Sequence, residues 1–145
     1  MNSFFPNLDH NLLNLLLLET ITFLQQSGQL DQAIHEYTET IRLSPNSLEL
    51  YLELGNLYQE RRQHSLAMQT YQQAITIATN DPRPYYQAGL ALKESHDYMA
   101  AENMLRRAAN LARDDVNIHR SLAAVIALNL VYKTQTETAA QSTNL

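Results

Sequence analysis

Residues 48–55 read Leu-Glu-Leu-Tyr-Leu-Glu-Leu-Gly, and residues 82–89 read Pro-Arg-Pro-Tyr-Tyr-Gln-Ala-Gly. The two segments stand 34 residues apart, and each has tyrosine at its fourth place and glycine at its eighth. The same offset joins Ala67 to Ala101 and Ala74 to Ala108, and one step back from Ala67 and Tyr71 stand Ala33 and Tyr37. A fixed period of this size means one supersecondary unit repeated, each copy burying its apolar face on the next. The first copy is weakest, with Thr20 and Ile21 where the others have Leu54-Gly55 and Ala88-Gly89.

Each unit reads as two helices. Gly55 and Gly89 fall inside helical patterns, where glycine costs about 1 kcal/mol relative to alanine. That cost is tolerated where a second helix needs the space, with Ala67 and Ala101 as the matching small surface and the tyrosines as broad wedges between. Asp81 before Pro82 is an N-cap followed by proline at the first helical place, and Asn46 with Glu49 resembles a capping box. Pro45 closes the helix before it, and Gly28 supplies a turn. The pattern predicts helices over 8–26, 30–43, 47–61, 65–78, 82–95, 98–112 and 116–133. The seventh presents Ile118, Leu122, Val125, Ile126 and Leu130 as a face that caps the third unit. Its opposite side, with Ala123, Ala124, Ala127 and Leu128, is apolar too. Residues 134–145 have little to bury and are expected to be a disordered tail.

This unit resembles the tetratricopeptide repeat (TPR), whose pattern is aromatic at position 4, Leu-Gly at 7 and 8, Tyr at 11, Ala at 20, aromatic at 24, Ala at 27 and Pro at 32. The second copy carries Tyr51, Leu54, Gly55, Tyr58, Ala67, Tyr71 and Ala74; the third carries Tyr85, Ala88, Gly89, Leu92, Ala101, Leu105 and Ala108. The first contributes Ala33, Tyr37 and, at position 32, Pro45. The resemblance implies an all-α, right-handed superhelical solenoid. Its units would span 14–47, 48–81 and 82–115, behind an N-terminal extension over 1–13 and before a capping helix over 116–133.

The resemblance also implies a protein-binding adaptor that holds a peptide or helix of a partner in its concave groove, aiding assembly of a multiprotein complex. Family ligands commonly meet positions 2, 5, 9 and 12 of each first helix. Carried across, these give Leu15 and Leu18 in the first unit; Leu52, Asn56 and Gln59 in the second; and Arg83, Tyr86, Leu90 and Lys93 in the third. Thr22, Gln25 and Glu49 hold the remaining places in the first two units. Arg120 belongs to the same series on the seventh helix, beside Asn117, Ala124 and Ala127. Such a groove runs from oily, through amides, to a patch where Arg83, Lys93 and Arg120 converge. Tyr86 is the expected anchor, because aromatics dominate binding hot spots. The family's clamp for acidic chaperone tails needs Lys, Asn, Asn, Lys and Arg at places held here by Leu18, Thr22, Glu53, Arg83 and Gln87. Only Arg83 fits, and that ligand class is set aside.

The rest of the chain narrows the field. It has 145 residues, 45% hydrophobic and 17% charged, with 10 Lys+Arg against 15 Asp+Glu for a net charge of -5. An acidic chain with no basic stripe points away from nucleic acid. The absence of cysteine excludes disulfides, thiolate metal sites and a cysteine nucleophile. Three glycines cannot build a phosphate-cradling loop. His10, His35, His64, His96 and His119 are too far apart to pair on a helical turn, so neither metal nor cofactor is expected. Asp114-Asp115 reads as a helix cap, and no Gly-x-Ser-x-Gly occurs, so no enzyme activity is expected. The leucine-rich run over 12–18 is too short and too interrupted to span a membrane, and no Lys or Arg precedes Arg42 to make a secretory signal. A cytoplasmic location follows as the expectation. Two other readings stand beside the adaptor: homo-oligomerisation through the apolar first and last helices, and peripheral membrane contact through Phe4, Phe5 and the leucine run.

Overall fold

A computed structural model describes residues 10–26 and 28–143, with the side chains of 24–26 outside the description. Among these residues there are seven helices and no strand: α1 (His10–Gln26), α2 (Leu30–Leu43), α3 (Leu48–Glu60), α4 (His64–Ile77), α5 (Pro82–Glu94), α6 (Tyr98–Leu111) and α7 (Val116–Thr143). Turns of three and four residues alternate between them, short enough to force each helix antiparallel to the last. Consecutive helices pack in order, α3 also touches α5, and α5 also touches α7. That is a solenoid in which α3, α5 and α7 stand side by side.

The period controls which residues enter the core. On α3, one stripe (Leu50, Leu54, Leu57) packs back against Ala33 and Tyr37 of α2. The adjacent stripe, with Tyr51 and Tyr58, packs forward against Ala67 and Tyr71 of α4. Here the glycine is needed: a Cβ on Gly55 would sit 2.7 Å from Cδ1 of the Tyr71 ring. One period on, a Cβ on Gly89 would sit 2.7 Å from Cγ of Leu105. Ala33, Ala67 and Ala101 are all fully buried, as are Leu57 and Leu105, each leucine contributing about 1.5–3 kcal/mol through burial.

The turns repeat as well. Gly28 has φ 75°, and its equivalents one and two periods on, Arg62 (58°) and His96 (64°), adopt the same left-handed conformation without being glycine. The turn needs it, because the next amides fold back on the helix end. The Arg62 and Gln63 N–H groups donate to the Gln59 and Tyr58 carbonyls, at 2.9 and 2.8 Å. His96 and Asp97 do the same to Lys93 and Leu92, both at 3.0 Å.

A third repeated device anchors the start of each first helix. The Tyr51 hydroxyl donates to the Pro45 carbonyl (2.8 Å) and the Tyr85 hydroxyl to the Thr79 carbonyl (2.9 Å). At the corresponding place on α7, His119 Nε2 donates to the Arg113 carbonyl at 2.7 Å. His119, one period after Tyr85, therefore does a tyrosine's work.

The caps agree in part. Asp81 accepts from the Arg83 N–H, and Asp115 from those of Asn117 and Ile118. The capping box expected from Asn46 and Glu49 does not form. Ser47 is the N-cap of α3 and makes no side-chain cap bond, which leaves Asn46 in the turn. The largest departure is at the C-terminus: α7 runs to Thr143, through the stretch expected to be a disordered tail. Leu130 occupies the place where Gly28, Arg62 and His96 turn the chain, and no Gly or Pro follows Gly89 to break a helix. Asn129 is buried where α7 crosses α6, its amide donating to Glu102 Oε2 at 2.9 Å.

Candidate partner-binding groove

The direct contacts of α3 with α5 and of α5 with α7 make a continuous surface from the first helices of successive units. Its centre is a cleft of about 280 Å³ between α3 and α5, lined by Asn56, Gln59, Glu60, Tyr71, Gln87, Leu90, Ala91 and Glu94. Its polar groups are held in place. The Tyr71 hydroxyl donates to Asn56 Oδ1 (2.7 Å), and Gln59 Nε2 donates to Glu94 Oε2 (2.9 Å). His64 Nδ1 donates to Gln59 Oε1 at 2.8 Å, so the amide is gripped from both sides. Burial, and then the nearby Glu60 carboxylate, push the Glu53 carboxyl above its ordinary range. The Tyr71 hydroxyl is pushed well up, first by burial and then by Glu94 and Glu53.

The sequence-predicted residues divide into three groups. Asn56, Gln59 and Leu90 line the one cleft, half-buried, as the register places them. Leu15 is exposed on α1, and Leu18 packs half-buried against the core of the first unit. The Gln25 side chain, with Phe4 and Phe5, lies outside the described residues.

The expectation fails for Leu52 and Tyr86. Leu52 is only 7% exposed and belongs to the core with Tyr71, Ala88 and Ala91. Tyr86, one period later, packs half-buried against the clusters between α5, α6 and α7, with its hydroxyl 3.3 Å from Ser121 Oγ. The physical reason is shared: this place on a first helix faces the next first helix, so its side chain is spent on stacking units. Arg83 and Lys93 do not converge as the expected cationic patch requires. Arg83 is exposed, donating to Asp81 (2.8 Å) and to Glu49 (3.2 Å). Lys93 stands ten residues further along α5, about 15 Å by helical rise. Among the described residues, Lys93 and exposed Arg120 make no ion pair of their own.

Sequence reasoning missed the acids. Glu60 and Glu94 share one register position, 34 residues apart, and with Gln87 they make the cleft acidic and amide-rich. The signal was in the period, one place beyond the positions carried from the family. Among the described residues no group of His, Asp or Glu is placed to hold a metal ion, and no helix is long and apolar enough to cross a membrane.

Repeated helix pairs, stacked by small residues and carrying a polar cleft on their first helices, define a helical-repeat scaffold. The tetratricopeptide repeat family matches residues 24–92. No curated protein matches it in sequence. Among solved structures it is similar to MamA (25% identity, TM-score 0.64, covering 72% of this chain and 61% of MamA). It therefore spans about three fifths of that protein. It is also similar to PcrH in complex with the chaperone binding region of PopD (22%, TM-score 0.69, 89% and 97%). A third likeness is the first TPR of Spaghetti (RPAP3) bound to the HSP90 peptide SRMEEVD (18%, TM-score 0.69, 78% and 90%).

Proposed function

We propose that the chain is a non-catalytic adaptor whose cleft between α3 and α5 holds a segment of a partner protein, in the service of assembling a larger complex. The observation that carries this reading is the meeting of Asn56, Gln59 and Leu90 in one cleft, with the Asn56 and Gln59 amides fixed by hydrogen bonds. Pre-fixed polar groups around an apolar floor favour binding, because less side-chain freedom is lost when a ligand arrives. Two structures of the same fold carry a partner segment, PopD on PcrH and the HSP90 peptide on RPAP3. The ligand here differs from an acidic chaperone tail: Glu60 and Glu94 would repel it.

The test is selection of peptides from a displayed random library on the full chain, followed by side-chain amide NMR. The selected peptide should move the Asn56, Gln59 and Gln87 amide signals. Peptides that bind while leaving all three unmoved contradict the reading.

A second reading, self-association, is favoured by one observation. On α1, Leu15, Leu16 and Phe23 are 58%, 42% and 68% exposed. Sedimentation velocity over a wide concentration range decides it, and a single monomeric species removes it.

A further inference from the structure

The register shows a surface that the groove does not use. Every first helix has a backward stripe and a forward stripe. On α5 the backward stripe includes Ala88 and Ala91, packed with Ala67, Tyr71 and Ala74 of α4. Its forward stripe includes Gly89 and Leu92, packed against Leu105 of α6. On α7 the backward stripe is Ile118, Leu122 and Val125, packed on Ala101, Leu105, Ala108 and Ala109 of α6. Its forward stripe is His119, Ala123 and Ile126, one period beyond Tyr85, Gly89 and Leu92. The stripe is dressed for a second helix. It has a small residue at the crossing point, an aliphatic where Leu92 stands, and in His119 the carbonyl bond that tyrosine makes in the earlier units. Among the described residues no helix covers it. Ala123 is exposed, Ile126 is 38% exposed, and Leu130 one turn on is 64% exposed.

We propose that this forward stripe of α7 seats an amphipathic helix of a different protein, completing a fourth helix pair in trans. The molecule shows the occupant's pattern twice, as α4 on α3 and α6 on α5. It is alanine, then tyrosine or leucine four residues later, then alanine three residues after that: Ala67-Tyr71-Ala74 and Ala101-Leu105-Ala108. The new interface continues the established ones, with the same crossing geometry. Because alanine replaces glycine at the crossing, the residue facing Ala123 is no larger than leucine. A second copy of this chain does not supply such a helix. Within each copy the alanines and central residues of α4 and α6 are 0–1% exposed, so they are already spent. The exposed sides of α1 and α7 lack the pattern. The site uses no residue of the cleft between α3 and α5, so it stands whether or not that cleft binds a ligand.

The test titrates the isotope-labelled full chain with a synthetic peptide of residues 97–112, which holds α6 and its Asp97 cap. Saturable shifts should appear at the amides of Ala123, Ile126 and Leu130 and not at Asn56 or Gln87. Ala123→Glu, at an exposed position, should keep its helical circular dichroism and weaken binding at least tenfold. Ile126→Ser should weaken it similarly and serves if Ala123→Glu loses structure. Absence of shifts on α7 overturns the proposal, as do shifts centred on α5, where the peptide would have displaced α6. A concentration-dependent dimer abolished by Ala123→Glu overturns it too, since the occupant is then a second copy.

Discussion

The Tyr71 ring occupies the space that a side chain on Gly55 would need, with Cδ1 and Cζ at 2.7 and 2.8 Å from the place of a Cβ. Tyr71 is 1% exposed and its hydroxyl is tied to Asn56, so the ring has nowhere to go. Gly55→Ala gains about 1 kcal/mol of helix propensity but overpacks the crossing by about 1–3 kcal/mol. The expected net is a loss of about 1 kcal/mol in urea unfolding. In a Tyr71→Ala background the same substitution should become stabilising, and a loss of equal size in both backgrounds would contradict the contact.

Arg62 and His96 hold a backbone conformation that glycine adopts freely. Arg62→Gly should raise stability by about 0.5 kcal/mol and shift the urea midpoint at constant m-value, while Gly28→Ala should lower it. Opposite signs would mean that the turn is not strained.

The tyrosine-to-carbonyl bonds at Tyr51 and Tyr85 each join a first helix to the turn before it. Tyr51→Phe and Tyr85→Phe should each cost about 1 kcal/mol, the usual net worth of a buried hydrogen bond. Tyr85→Phe also frees Arg107, whose Nη2 donates to the hydroxyl at 3.3 Å. Unchanged thermal midpoints for both variants would refute the anchoring role.

Burial raises the Glu53 carboxyl in the folded chain above its unfolded value. A raised carboxyl favours the folded state while protonated, so that contribution is present below the unfolded value near 4.5 and fades as pH rises through the folded one. Glu53→Gln should therefore be more stable than the parent at pH 7, with the gap closing towards pH 4. Urea titrations at the two pH values check this, and a gap that widens on acidification contradicts it.

The period made much of the fold legible. Gly55, Gly89, Ala67 and Ala101 marked the helix crossings, and α2 to α6 fall within one residue of their predicted bounds. What failed has physical causes. Leu52 and Tyr86 were misplaced because the pattern of one unit does not show which face meets the next unit, and apolar side chains go to whichever surface is covered. The end of α7 was misread because weak hydrophobicity suggests disorder, whereas a chain with no breaker can continue a helix already nucleated by packing. Asn56, Gln59 and Leu90 were legible as neighbours. Glu60 and Glu94 were legible only as a repeated pair, and their convergence on the cleft took the stacking of α3 on α5 to see.

The central claim is that the cleft between α3 and α5 is the partner site. Its most direct test is calorimetric titration of a library-selected peptide into the full chain and into the Asn56→Ala, Leu90→Ala double variant. The two side chains line the cleft and are only half-buried, so the variant should stay helical. The expected result is at least tenfold weaker binding, which is about 1.4 kcal/mol. Undiminished affinity in a helical variant would contradict the account.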